Sequence, residues 1–306
     1  MPTPSTTASR RGFVLVVLAA LCWGTSGFSG SIVARNSDLG PLDIAWHRMA
    51  IGAVALLAAW SVTRRRSAPA PALGRGTVVR LVLVGAGLAA YQLAYFAAVA
   101  TAGVSIATLV ALGLAPLLIA VGAALLGHGR PDPATVVALA AALVGLVLLV
   151  GVSAGADTGT TVVLGALMAV GSALGYAVVT LAGGGVPAGV PVTLVGFAGG
   201  ALLLTPVALV EGLRFTTDPV ALGVLLYLGV VPSAVAYAMF FTGLRTVPGA
   251  VASIVTLLEP LTATALATLL LGEQLAPLAA AGGLLVLAAV AGLYLHRLRR
   301  PATAAV

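Results

Sequence analysis

Long apolar runs alternate with short polar breaks along almost the whole chain. About 20 mainly apolar residues are enough for a helix to cross the hydrocarbon core of a bilayer, so each run predicts a transmembrane helix. The runs of the first half are 13–34, 42–62, 78–99, 103–124 and 134–152, and those of the second half are 162–184, 190–210, 219–241, 247–271 and 275–295. The pattern therefore predicts an all-α integral membrane protein with ten transmembrane helices.

The composition supports this prediction and excludes several classes of function. Hydrophobic residues make up 60% of the chain and charged residues 8%, with a mean hydropathy of +1.16. A soluble domain carries roughly 25% charged residues, so a soluble enzyme is excluded. Cys22 is the only cysteine, and the three histidines, His47, His128 and His296, lie in different segments, so neither a disulfide nor a metal site is expected. Without lysine there is no phosphate-binding loop for ATP, and we expect no cofactor.

The charge pattern predicts how the chain lies in the membrane. All fifteen basic residues are arginine, and most of them lie in short segments between or beside the apolar runs, which argues against nucleic-acid binding. With a cytoplasmic N-terminus, twelve arginines fall inside, and only Arg35, Arg48 and Arg214 fall on the outer side. This positive-inside bias predicts that both termini are cytoplasmic. Arginine in place of lysine, beside frequent alanine and glycine, favours a bacterial origin and hence the bacterial inner membrane.

The two halves of the chain, 13–152 and 162–295, carry similar landmarks and are joined by Ser153–Thr161. Each half has an Ala-Tyr pair, a residue followed by proline, and a Leu-Gly pair: Ala94-Tyr95, Ala115-Pro116 and Leu126-Gly127-His128, then Ala236-Tyr237, Glu259-Pro260 and Leu271-Gly272-Glu273. Five spans in each half would make the second half enter the membrane from the opposite side. The sequence thus predicts two inverted-topology repeats, an arrangement common in secondary transporters.

At these landmarks the chain resembles the drug/metabolite transporter superfamily, with two tandem EamA-type domains. The resemblance is carried by Trp23-Gly24-Thr25-Ser26, Arg48, Leu257-Leu258-Glu259-Pro260 and Leu269-Leu270-Leu271-Gly272-Glu273, and it extends over about residues 13–295. The first repeat departs from the family pattern, because Gly127-His128 stands where the family often has Gly-Glu. No role for a carboxylate can be carried over to that position.

The resemblance implies ten helices around a central cavity and alternating access by rocking of the two repeats. Members of the family are mostly exporters of amino acids, metabolites or drugs across the bacterial inner membrane. The leading hypothesis is therefore a secondary transporter that exports small metabolites such as amino acids, with the substrate and membrane lipid as partners. The alternatives are a non-transporting membrane scaffold or channel, and an intramembrane enzyme. An enzyme of that kind needs clustered carboxylates or histidines, which the spans lack.

Glu259 is the main candidate for a functional residue because it is an ionisable group near the middle of a predicted span. Pro260 removes a backbone N–H and is expected to break the helix there, as Pro116 is in the first repeat. A broken helix at mid-depth can offer polar backbone groups to a substrate. Glu259 is thus predicted to contact substrate or to couple transport to protons, the alternative being a carboxyl group that only pairs with a neighbouring helix.

Further candidates are polar side chains within or near the spans. Arg48 and His47 lie near the outer start of the second span with Asp43, and Arg48 could anchor a substrate carboxylate or lie at the interface as a structural group. His47 is a candidate proton relay. Buried polar side chains in a bundle need partners, so others are predicted to line the cavity or to pack: Trp23, Tyr91, Gln92, Tyr95, Tyr176 and Tyr237.

Overall fold

The computed structural model describes residues 6–64, 73–150, 160–271 and 276–299, and within these ranges the chain forms helices and no strands. The helices of the first half are α1 (Thr6–Gly24), α2 (Ser26–Asn36), α3 (Pro41–Arg64), α4 (Arg75–Leu125) and α5 (Pro133–Val150). Those of the second half are α6 (Thr160–Gly184), α7 (Val192–Val210), α8 (Pro219–Leu228), α9 (Ala236–Gly243), α10 (Gly249–Val255), α11 (Leu258–Leu271) and α12 (Pro277–Arg299). A π-helical turn, Gly229–Val235, joins α8 to α9.

In the described residues, nine helical segments are long and apolar enough to cross a membrane. A further apolar helix, Pro133–Leu149, is shorter, and it lies where the fifth span is predicted. The predicted all-helical membrane fold is confirmed, whereas the tenth span and the relation between the two repeats stay predictions. The segment joining the two halves and the Gly272-Glu273 end of the last motif fall largely outside the described ranges.

The distribution of side chains is that of a protein with lipid as its outer solvent. Many large apolar side chains are exposed on the outside, among them Leu125 at 83% and Val210 at 86%. The interior is also apolar and is closely packed around Phe240, Ile254 and Leu257, all with no exposed surface. Because lipid offers no hydrogen-bonding partners, backbone groups that face it must be satisfied within the helices.

Gly103 turns the chain between the third and fourth predicted spans. Its φ of 81° lies in the left-handed region that favours glycine, and it is the one non-helical residue within the 51 residues of α4. We call the part of α4 before Gly103 its first arm and the part after it its second arm. The fourth span therefore begins at Ile106 rather than at residue 103.

The bundle is held together where small residues let backbones approach. α6 packs against both arms of α4, α5 packs against α12, and α3 packs against α7. At the second of these contacts, a Cβ on Gly145 would lie 2.7 Å from the carbonyl oxygen of Gly282, and a Cβ on Gly282 would lie 2.6 Å from that of Gly145. Close approach through small residues is the usual way in which helices associate in lipid.

Candidate functional site

The helix that carries Glu259 is interrupted just before this residue. Pro260 has no N–H, and its ring would clash with the carbonyl group of Thr256, so α10 ends at Val255 and α11 begins at Leu258. The backbone tightens across the interruption: the N–H of Leu257 donates to the Ile254 oxygen at 3.1 Å, and the N–H of Glu259 to the Thr256 oxygen at 2.9 Å. Glu259 therefore lies in the first turn of a half-helix within the bundle.

A second interrupted span meets the first at this point. α1 ends at Gly24 and α2 begins at Ser26, and between them the Thr25 hydroxyl donates to the Cys22 carbonyl oxygen at 2.7 Å. A Cβ on Gly24 would lie 2.8 Å from the carbonyl oxygen of Glu259 and 2.4 Å from the Cβ of Thr262. Only glycine allows α1 to come this close to α11.

Aromatic rings form a continuous cluster beside these two interruptions. Trp23 lies 4.7 Å from Tyr237 and 5.2 Å from Phe240 between ring centroids. Phe240 lies 6.1 Å from Tyr176, which is 5.9 Å from Tyr91. We call these five residues the aromatic cluster. It joins α1, α4, α6 and α9, so side chains from both halves of the sequence form one wall.

Arg48 reaches this region from α3 and contacts the π-helical turn. Its Nε donates to the hydroxyl oxygen of Ser233 at 3.4 Å, and that hydroxyl donates to the carbonyl oxygen of Leu228 at 2.7 Å. Pro232 lies in the same turn and cannot supply a backbone N–H. π-helical turns are frequent at functional sites, and this one carries Ser233, the residue that accepts the hydrogen bond from Arg48.

Arg48 and Glu259 act on the same aromatic groups without touching each other. Both lie within electrostatic range of Tyr91 and Tyr237, and of each other. The two charged side chains, both in the described part of the chain, form no direct ion pair with each other.

Several buried polar atoms beside the cluster have unused hydrogen-bonding capacity. The Trp23 Nε1 and the Ser172 Oγ have no hydrogen-bond partner within the described residues. The Tyr176 hydroxyl likewise has no bond of standard geometry there, although the hydroxyls of Thr180 and Thr256 lie close to it. Buried polar groups are rarely left without partners, which makes their concentration here notable.

The remaining predicted residues lie beside the cluster or away from it. Tyr95 is within ring contact of Tyr91, at 6.4 Å, and its hydroxyl shares a hydrogen bond of 2.8 Å with that of Thr108. Gln92 is buried. The ring of His47 contacts the Asp43 carbonyl oxygen through Nδ1 at 2.7 Å and packs 5.1 Å from Phe215, near the start of α3.

The two prolines predicted to break helices behave differently. The interruption in α10–α11 lies one turn before Pro260, as the loss of its N–H requires. The helix continues through Pro116 in the second arm of α4, and the interruption in this half of the chain lies at Gly103. Proline in a membrane helix is tolerated where neighbouring groups satisfy the freed carbonyl.

Three contributors were not identified from the sequence. Phe240 closes the aromatic cluster, Ser233 supports Arg48, and Tyr227 shares a hydrogen bond of 2.9 Å with the Thr25 hydroxyl at the first interruption. Phe240 is three residues after Tyr237 and so lies on the same helical face, which was a usable signal. Nothing in the sequence marks Ser233 as the partner of a residue 185 positions away.

A cavity of about 1110 Å³ lies elsewhere in the bundle. It is lined mainly by α4, α6 and the loops after α4, α6 and α9, with the first turns of α5 and α10, at the arginine-rich end of the molecule. None of the predicted site residues is among the described residues that line it. Its inner end includes Thr180, whose hydroxyl donates to the carbonyl oxygen of Tyr176 at 2.9 Å.

Comparison with known proteins identifies transporters. Residues 10–151 and 163–295 match the EamA-like transporter family. The chain is 31% identical over 265 residues to the uncharacterized transporter YwfM of Bacillus subtilis, with 86% of this chain and 87% of that protein covered. It is 25% identical over 308 residues to the uncharacterized inner membrane transporter YicL of Salmonella typhimurium, with 96% and 98% covered.

The fold also matches a solved structure over nearly its full length. This crystal structure of a protein superposes with a TM-score of 0.79, and the match covers 97% of this chain and 100% of that one. The sequences are 23% identical, so the likeness concerns the fold alone.

Proposed function

Because the chain belongs to the EamA-like transporter family and is a multi-pass membrane transporter rather than an enzyme, we propose that it exports small metabolites such as amino acids. The proposed mechanism is secondary transport by alternating access across the bacterial inner membrane. Membership of the family establishes that the protein is a transporter, and we propose the substrate class, the direction and the mechanism of that transport.

The observation that carries the proposal is the placement of Glu259 and Arg48. They bear opposite charges, lie within electrostatic range of each other and do not neutralise each other by direct contact. A free amino acid presents a carboxylate, which guanidinium groups bind well, and an ammonium group, which a carboxylate binds. The aromatic cluster beside the two charges adds favourable contact with an ammonium group or an apolar side chain.

The unused polar atoms near Trp23 and Tyr176 support the same assignment. A bound substrate with several donors and acceptors would give partners to groups that otherwise lack them within the described structure. Glu259 also lies beside two helix interruptions, at Thr25 and at Thr256–Leu257, where the regular backbone pattern is broken. This is the usual construction of a substrate site in secondary transporters.

Glu259 is also the residue that we propose for proton coupling. A carboxyl group surrounded by protein can exchange a proton when the substrate leaves, which would couple transport to the pH gradient. His47 is a weaker candidate for a proton relay, because its ring contacts Asp43, Trp46 and Phe215 rather than the aromatic cluster.

The contacts between helices support two inverted repeats, 13–152 and 162–295. Under such a repeat α5 corresponds to α12 and α3 to α7, and each of these pairs packs together, as elements on a two-fold axis do. A glycine contact recurs in matching places: Gly52 of α3 lies against Gly229 after α8, and Gly199 of α7 lies against Gly85 of α4. This arrangement favours alternating access over a rigid scaffold or an open channel.

The experiment begins with a comparison of metabolites inside and outside cells that have or lack the protein. Candidate substrates are then tested in proteoliposomes with and without a pH gradient, using Glu259→Gln and Glu259→Ala. Glu211, which is exposed at the end of α7, supplies the matched control Glu211→Gln.

The outcomes separate the roles of Glu259. If the Gln variant binds substrate but no longer responds to the gradient, Glu259 couples transport to protons. If Gln behaves like the original residue and Ala fails, the role is hydrogen bonding or packing. Normal transport by both variants would show that the site lies elsewhere, and unchanged metabolite levels in all cells would refute export.

The proposed orientation has its own test. A reporter that is active only in the periplasm should give no signal when it is fused after Arg300 and should give signal when it is fused near Asp157. The reverse pattern would overturn the assignment of both termini to the cytoplasm.

A further inference from the structure

The cavity at the arginine-rich end has two kinds of wall. Basic side chains stand at its mouth: Arg75 and Arg80 on the first arm of α4, and His128 and Arg130 in the loop after the second arm. Its sides are largely apolar and come from both arms of α4 and from α6. Nothing in the proposed transport site uses these residues.

Two of the arginines at the mouth are not engaged by other side chains of the described structure. Arg75 and Arg130 are exposed, and among the described residues neither side chain has a hydrogen-bond or ion-pair partner. Asp132, the acidic residue of the lining, is engaged instead with the backbone N–H of Thr135 at 3.0 Å and with His296 at 3.9 Å. The mouth therefore presents uncompensated positive charge.

Arg80, in contrast, is held by a hydrogen bond within the protein and helps to define the shape of the mouth. Its Nη1 donates to the carbonyl oxygen of Gly185, in the connection between α6 and α7. This contact joins the first arm of α4 to the end of α6, which forms the back of the cavity. The two arms of α4 and the end of α6 thus form a defined cleft rather than a flat charged surface.

The apolar sides of the cleft continue onto the surface that faces lipid. Val79 is 51% exposed, Leu83 is 42% exposed and Leu126 is 61% exposed, and all three line the cavity. Arg75 is the first residue of α4, so the basic mouth lies where a span begins, at the level of lipid headgroups. A molecule that fits must be anionic at that level and apolar toward the bilayer.

We propose that this cleft binds an anionic phospholipid, with the phosphodiester at Arg75 and Arg130 and an acyl chain between the two arms of α4. Basic pockets between membrane helices are suited to anionic headgroups, and each arginine near such a surface strengthens the attraction. A water-soluble anion would satisfy the arginines but would gain nothing from the exposed apolar sides. The site is independent of the substrate proposed above.

The test measures the melting temperature of the purified full chain in detergent as phosphatidylglycerol is added, with phosphatidylcholine and inorganic phosphate as separate additions. We expect phosphatidylglycerol to stabilise the protein and the other two to have little effect. Arg75→Gln with Arg130→Gln should weaken the response to phosphatidylglycerol by about 25-fold in lipid concentration, roughly fivefold for each arginine. Arg10→Gln with Arg11→Gln removes the same charge from exposed positions outside the cleft and should leave the response unchanged.

A second pair of variants tests the acyl chain. Ala123 lines the cleft and Ala124 is exposed outside it. Ala123→Phe should weaken the response to phosphatidylglycerol, and Ala124→Phe should not. These variants keep every charge, so they remain informative if the double arginine variant does not fold.

Three results would overturn the proposal. Equal loss of the response in the two double arginine variants would mean a general effect of charge. Stabilisation by millimolar inorganic phosphate equal to that by phosphatidylglycerol, with Ala123→Phe silent, would mean a site for a soluble anion. An equal response to phosphatidylcholine would mean that headgroup charge plays no part.

Discussion

The contact between Gly24 and α11 gives the sharpest prediction about the proposed site. In Gly24→Ala, the new Cβ would lie 2.8 Å from the backbone oxygen of Glu259 and 2.4 Å from the Cβ of Thr262. Ordinary contacts begin at 3.4 Å, so α1 and α11 must separate by about 0.6 Å or more. The oxygen belongs to the backbone, which cannot move aside as a flexible side chain can.

The magnitude follows from the cost of overpacking. Extra atoms in a closely packed interior cost about 1–3 kcal/mol. A change from glycine to alanine in a helix gains up to about 1 kcal/mol of helix propensity, which partly hides that cost. Gly27 offers the matched control because a Cβ there meets nothing within 4 Å, so Gly27→Ala has the gain without the clash.

The assay is thermal unfolding of both variants in detergent, followed by transport of the identified substrate. We expect Gly24→Ala to melt about 3–8 °C below Gly27→Ala, and to lose transport because Glu259 is displaced from Arg48. If the two variants melted together and transported equally, the close approach of α1 to α11 would carry no energetic weight. The proposed link between this contact and the site would then be refuted.

Further substitutions test other contacts. Arg48→Leu should abolish transport with little loss of thermal stability. The reason is that the side-chain hydrogen bond of Arg48 to Ser233 in the described structure is long, at 3.4 Å. A large fall in melting temperature would indicate a structural role instead. Gly145→Val should destabilise the protein by about 1–3 kcal/mol, because its Cβ would lie 2.7 Å from the carbonyl oxygen of Gly282. A Cβ at Gly292 meets nothing within 4 Å, so the control Gly292→Val should melt near the unmodified protein. Asp43→Asn should destabilise by about 1 kcal/mol, because two backbone N–H groups bond separate carboxylate oxygens of Asp43 and an amide has one acceptor oxygen; an unchanged melting temperature would argue against this.

The membrane fold was predictable because lipid imposes a simple rule on sequence. A run of apolar residues of sufficient length becomes a helix whatever its neighbours are, so most spans were placed within a few residues. The turn at Gly103 was harder to predict from the sequence, because the apolar pattern continues almost unbroken across it. Its position depends on one backbone angle that the pattern does not record.

The candidate site was predictable in its charged members and not in their arrangement. Glu259 stands out in an apolar run because a charge there is costly. Hydropathy cannot say which face of α3 turns Arg48 toward Ser233, since that depends on rotation about the helix axis. It also cannot distinguish His47, whose ring packs against Phe215 in the connection between α7 and α8, from Arg48, its neighbour in sequence.

The interruptions in the spans have a consequence for exchange of backbone amide hydrogens with solvent. In most membrane proteins the centre of a span is the slowest part to take up deuterium. Here the regular α-helical pattern of backbone hydrogen bonds is interrupted around Thr25, through Gly229–Val235 and at Thr256–Leu257. All three interruptions lie beside the aromatic cluster. Deuterium uptake should therefore be faster in the interior of these three spans than in the uninterrupted α6, so that the usual profile of protection with depth is inverted around the site.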